Sequence, residues 1–256
     1  MVVAEPINAV EEAIQELSLG RPELGLQTVG LSEASSLARV AASTGVLERW
    51  LDDAATLAAG IDRRTAAAYL MSILVWRLGE VLAHLYLEGA PTLQLDATNV
   101  LAGLRVTGHG RARDIGFQFL LVGGKPTAPL QREIFVSSVL AVHRPLVDAL
   151  SQQTGLSRHA LWRLVTDGMT NGFLVWGKLT GRLDFAMLEA AAVVRQEPLH
   201  NRQWQFVEAI GTSGSREWFR LRGGCCRLCK TEGNEYCVTC VLRDRQDQMQ
   251  RLSARL

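Results

Sequence analysis

Five cysteines fall between Cys225 and Cys240, and residues 1–224 contain none. Thiolates are soft donors that take zinc or iron–sulfur clusters, and in a reducing compartment such a group reads as metal or redox chemistry rather than a disulfide framework. The segment runs Arg222-Gly223-Gly224-Cys225-Cys226-Arg227-Leu228-Cys229 and then Cys237-Val238-Thr239-Cys240. One grouping pairs Cys226-x2-Cys229 with Cys237-x2-Cys240. That is the arrangement of a tetrahedral four-thiolate zinc site, because an x2 spacing turns two thiolates onto one ion. The other is Cys225-Cys226-x10-Cys237-x2-Cys240, which leaves Cys229 over.

The second grouping is the more unusual. Adjacent side chains on an extended backbone point to opposite faces, so both thiolates ligate only where the chain bends. Gly223 and Gly224 give backbone freedom just upstream. A two-iron cluster is wider than a zinc ion, so diverging neighbours can still bind it. Taken alone, Cys225 also reads as a small buried hydrophobe.

The adjacent-cysteine spacing near the C-terminal end resembles the FhuF-like family of siderophore-iron (ferric) reductases. The resemblance is densest over 222–242, including Tyr236-Cys237 and Cys240-Val241-Leu242. It continues less specifically over 157–200, in a helix carrying Ala160-Leu161-Trp162 and an acidic helix after it. The N-terminal third shares only length and helicity, and Cys229 departs from the family pattern. The resemblance implies a 2Fe–2S cluster held by Cys225, Cys226, Cys237 and Cys240, with Cys229 as the competing ligand. It further implies one-electron reduction of Fe(III) in a hydroxamate-type siderophore, releasing Fe(II). Arg216, Arg220, Arg222, Arg227 and Lys230 lie close in sequence and could offset the cluster's negative charge; a solvated basic face or a docking patch is the plainer reading of each. The alternatives are a cytosolic four-cysteine zinc-binding interaction protein without redox activity, and a cluster-bearing sensor or siderophore-biosynthesis relative.

Other motifs fail. Gly108-His109-Gly110 has Arg113 where a dinucleotide loop needs its third glycine. Gly124-Lys125 is followed by Pro126, not Ser or Thr. Gly211-Thr212-Ser213-Gly214-Ser215 misses the nucleophile-elbow spacing by one position. His84, His109, His143, His159 and His200 show no paired metal spacing, and His84 reads as half-buried and structural. With no flavin or nicotinamide fingerprint, a separate donor of ferredoxin or flavoprotein type must supply electrons.

With 27 basic and 26 acidic side chains, the charge balance gives no reason to expect nucleic acid as a partner. Glu5, Glu11, Glu12 and Glu16 precede the first basic residue, Arg21, the reverse of an export signal. The longest uncharged run, Thr65–Trp76, falls short of the roughly 18 residues that suggest a membrane span. The expected location is the cytoplasm, with peripheral attachment at the inner face of the membrane as a variant.

The elements that must position the cysteines read as α+β, a mainly helical body packed around a small antiparallel sheet with a Cys-rich appendage. Helical periodicity marks 6–18, 32–42, 46–59 and 62–88, with Ser32 and Thr44 as N-caps. Strand composition marks 92–95, 99–107 and 114–122, and extended stretches at 203–209 and 217–222 add a late strand. Helix is expected again at 128–142, broken near Pro145, then at 157–179 and 183–195, with a terminal helix through Val238, Val241, Leu242, Met249 and Leu252. Gly168 and Gly172 sit one turn apart and read as close helix packing, the sharper alternative being backbone approach to a ligand. Trp76, Trp162, Trp176, Trp204 and Trp218 are divided between core and a site for a bulky chelate. Gly211–Ser215 is the proposed boundary between a body, 1–215, that would bind the siderophore and a cluster-binding segment, 216–256.

Overall fold

Asp62 and Ser157 start the two helices around which the rest is arranged. The Asp62 carboxylate accepts from Thr65 N at 2.6 Å and the Ser157 hydroxyl from Ala160 N at 3.2 Å, each supplying an acceptor to an otherwise orphaned N–H. The computed structural model describes residues 6–28, 34–89, 91–107 and 114–256. Ser32, His109, Gly108, Gly110 and Arg113 lie outside the described residues.

The helices are α1 (Pro6–Gly20), α2 (Leu37–Ala42), α3 (Thr44–Ala55), α4 (Arg63–Leu87), α5 (Arg132–Thr154), α6 (Arg158–Thr180), α7 (Leu183–Val193) and α8 (Arg245–Ser253). The strands are β1 (Leu26–Gln27), β2 (Ser35–Ser36), β3 (Pro91–Gln94), β4 (Val100–Thr107), β5 (Asp114–Leu121), β6 (Lys125–Pro129), β7 (Gln205–Ile210) and β8 (Arg216–Leu221). The fold is α+β and mainly helical.

Helices α4 and α6 lie against each other along most of their length, and three glycines set the distance. A Cβ on Gly168 would stand 2.2 Å from the Val75 carbonyl oxygen, and one on Gly172 equally close to that of Gly79. Both glycines therefore serve close helix packing. Helices α4 and α5 are each long and apolar enough to cross a membrane, but 78% and 56% of their apolar windows are buried inside this fold.

The sheets differ from expectation in three ways. Strand β3 pairs with β6 in a separate ribbon, so 125–129 is extended and the helix expected from 128 starts only at Arg132. The main sheet runs β1-β5-β4-β2, and β1 joins it parallel to β5. The late strands form their own hairpin, with Gly211–Ser215 as its turn, so paired strands fall on either side of the 215/216 division.

Helix α5 runs through Pro145 without a break. Proline removes one backbone donor at a cost of about 3 kcal/mol, which burial of Val139, Val142, Leu146, Val147 and Leu150 outweighs. The first cap of α2 within the described chain is Ser36, whose hydroxyl accepts from Arg39 N; α3 is preceded by Ser43 rather than capped by Thr44. The terminal helix begins only at Arg245, because 238–242 turns around Cys240 instead.

His143 on α5 is fully buried, its Nδ1 2.7 Å from the Val139 carbonyl, and burial pushes its pKa down to about 4. The unfolded chain takes up this proton near pH 6.5, so the native state loses stability as pH falls from there toward 4, where the loss levels off. Between pH 6.5 and 5 the loss should be about 2 kcal/mol. Urea unfolding of His143→Leu should have a correspondingly shallower acid limb; an unchanged limb would show that other groups carry it.

Candidate metal centre

The cysteine segment is pinned to α6 by one carboxylate. Asp167 is only 3% exposed, and it accepts from Gly223 N at 2.7 Å and Gly224 N at 2.9 Å. Its oxygens also lie 3.1 Å from Arg220 Nη1 and 3.6 Å from Arg222 Nε. These two contacts are charge pairs without hydrogen-bond geometry. A buried carboxylate is stable only when paired, and here it is paired with the backbone immediately before Cys225. Sequence reading missed this residue. The available signal was a lone Asp inside the apolar beat Leu164, Val165, Met169.

The two glycines serve approach rather than unusual dihedrals. A Cβ on Gly223 would stand 2.0 Å from the Asn201 side chain, and one on Gly224 2.9 Å from Leu164 Cδ2. The left-handed residue is Arg227, at φ 63°.

Arg222 lies at the centre of the site. Its guanidinium donates to Ser72 Oγ on α4 at 3.0 Å, and Nη1 lies 3.6 Å from Cys226 Sγ and 3.9 Å from Cys237 Sγ. Arg227 N donates to Cys225 Sγ at 3.3 Å, while its side chain reaches Thr65 and Asp62 at the start of α4. Of the other basic residues, Arg216 pairs with Glu208 on the hairpin, and Lys230 is exposed.

All five cysteines converge. The neighbouring Cys240 thiol pulls Cys225 down to about 5 and Cys237 to about 6; burial opposes both shifts and the Arg222 charge reinforces them. Cys240 is pushed up by those same two neighbours. Cys229 is pushed up by burial, by Cys225 beside it and by the charge of Cys226. The adjacent pair thus faces different partners, Cys225 toward Cys240 and Cys229, Cys226 toward Arg222. Among the described residues no three His, Cys, Asp or Glu side chains close to the geometry of a single-ion site. The thiol donor set, with a guanidinium against two of its sulfurs, fits a group that carries net negative charge, as a four-thiolate 2Fe–2S cluster does.

The loop's frame comes from the C-terminal helix and hairpin. Arg243 donates to the carbonyls of Cys237 and Tyr236, and Gln248 to that of Cys240 at 2.7 Å. Val207, Ala209, Leu221 and Leu252 form a small separate core beneath it.

A cleft of about 380 Å³ opens against Cys237, which is exposed, while Cys240 is buried. Trp76 and Trp218 line it, with Asn171, Lys178, Arg222 and Arg255; Asp167 is the carboxylate among its described lining residues. The tryptophans sort accordingly. Trp162 and Trp176 are core, Trp204 packs edge-on against Phe206, and Trp76 is 46% exposed. His84 is half-buried, 3.7 Å from Glu88, and takes no part in the centre. Compared with protein-family models and with curated proteins, the chain matches none.

Proposed function

We propose that this chain is a ferric-siderophore reductase in which Cys225, Cys226, Cys237 and Cys240 hold a 2Fe–2S cluster. One observation carries the reading: the converging thiols open, at Cys237, into a cleft large enough for a small chelate. A cluster bound there supplies one electron to chelated Fe(III), and the resulting Fe(II) is held more weakly by hard oxygen donors. Arg222 offsets negative charge at Cys226 and Cys237, and Asp167 holds Arg222 in place. Trp76 and Trp218 give the chelate apolar walls, and Arg255 adds positive charge, whereas Lys178 is paired with Glu217 at 2.9 Å.

The influence of the Cys226 charge on Cys229 favours a second reading, a four-cysteine zinc protein without redox activity that uses the Cys226-x2-Cys229 and Cys237-x2-Cys240 pairs. Colour separates the two, since a 2Fe–2S protein is red-brown and bleaches with dithionite whereas a zinc protein is colourless.

The test of the function is stoichiometric. Dithionite-reduced protein, freed of excess reductant and mixed anaerobically with a ferric trihydroxamate and a ferrous trap, should regain its visible absorption as trapped Fe(II) appears. About one iron should be reduced per cluster, with a rate that saturates in chelate. If the protein stays reduced with every ferric chelate tried, the reductase reading is wrong.

A further inference from the structure

A second cleft, of about 490 Å³, lies beside the cysteine loop and shares Arg222 with the first. Arg202, Arg222, Arg243 and Arg245 line it, together with glutamines and aliphatic residues, and no carboxylate is among its described lining. Arg222 is paired with Asp167 and Arg243 with Asp247. Arg202 and Arg245 are exposed and make no ion pair among the described residues. Leu221 and Val241 are the aliphatic residues of this lining. A cleft lined by four arginines, two of them exposed and without an ion pair among the described residues, and lying within one guanidinium of the sulfurs makes a docking surface for a protein of opposite charge.

We propose that this face receives the electron donor, an acidic one-electron carrier protein of ferredoxin type. The inference rests on the reductase reading. Nicotinamides deliver electrons in pairs as hydride, which a centre cycling one electron does not accept directly, so the chemistry calls for a one-electron carrier. The reduced partner gives up one electron and the cysteine-bound centre of this chain gains it; no bond is made or broken. The shared Arg222, 3.6 Å from Cys226 Sγ and 3.9 Å from Cys237 Sγ, places the two clefts on either side of one residue. Donor and chelate therefore do not compete for the same opening.

The probe is a plant-type acidic ferredoxin, oxidised, titrated calorimetrically into the full chain as purified with its metal. Binding should weaken as salt rises. Arg202→Glu/Arg245→Glu should weaken it roughly tenfold or more at low ionic strength. Arg49→Glu, an exposed change of charge on α3, should leave it within about twofold. Iron content and visible spectrum should match the parent in all variants, and Arg202→Gln/Arg245→Gln should fall between. Absent binding, or binding indifferent to the double reversal, overturns the proposal, as does inorganic phosphate occupying these arginines while ferredoxin binds elsewhere. The two readings fail separately. Arginine-dependent binding by a chain that reduces no ferric chelate keeps the dock and removes the reductase. Chelate reduction by a chain that ignores ferredoxin does the reverse.

Discussion

Asp167→Leu should destabilise the C-terminal segment by about 3–5 kcal/mol and release most of the bound metal. Leucine is of similar size, so the loss is electrical. It leaves the buried N–H groups of Gly223 and Gly224 without an acceptor and the guanidiniums of Arg220 and Arg222, 9% and 13% exposed, without their counter-charge. Removing one partner of a buried pair costs more than the pair contributes, because the survivor keeps its desolvation penalty. Asp167→Asn keeps one acceptor and should fall between. The measurements are iron and sulfide content, and proteolysis after residue 200, in parent and variants. A merely structural packing role would make Asn and Leu alike, whereas this network predicts metal retention in the order Asp, Asn, Leu. Full metal and unchanged protease resistance in Asp167→Leu would remove Asp167 from the site.

The helical body was largely legible because its helices are long and periodic. Leu161, Leu164, Val165, Met169, Phe173 and Trp176 keep a helical beat that the structure buries as one stripe of α6. Pro145 misled because local propensity argues for a break, whereas the apolar face of α5 on both sides of it is already committed to the core. Strand partners were the least legible element. Nothing local tells Thr92 that it will face 125–129 rather than the longer strands after it, and the two-residue β1 and β2 are too short to carry a pattern.

At the candidate site the cysteines were legible and their support was not. Crowding five thiols into one short segment is a compositional signal. The carboxylate that holds the segment comes from α6, more than 50 residues upstream, and reads in sequence as one acidic residue among many. Gly223 and Gly224 were noticed for flexibility, but their use is steric, and that depends on Asn201 and Leu164 arriving beside them. The tryptophans could be divided between wall and core only once the α4–α6 face was known, because periodicity places Trp76 on a helix without saying what leaves its outer edge uncovered.

Replacing the cysteines one at a time separates the two groupings by an all-or-none result. Cys225→Ser should yield colourless protein with little bound iron, while Cys229→Ser should keep its visible spectrum. Cys240 influences both Cys225 and Cys237, which groups these three thiols, and Arg222 joins Cys226 to Cys237. Cys229 lies on the turn Leu228–Lys230, beside Cys225 and within reach of the Cys226 charge, with no influence of Cys237 or Cys240 among those that shift it. Cys225 is pulled down by Cys240 and by the Arg222 charge, and a backbone N–H lies 3.3 Å from its sulfur, all of which favour the thiolate that ligates a metal. Serine matches the shape of cysteine but is a hard, weakly acidic oxygen donor, and a soft metal centre is not rebuilt on it. Iron, sulfide and zinc analysis of each variant gives the answer directly. Metal lost from Cys229→Ser and kept in Cys225→Ser would assign the paired x2 spacing, and with it the zinc reading. Loss from both would make all five thiols necessary and rule out the four-ligand set proposed for the cluster.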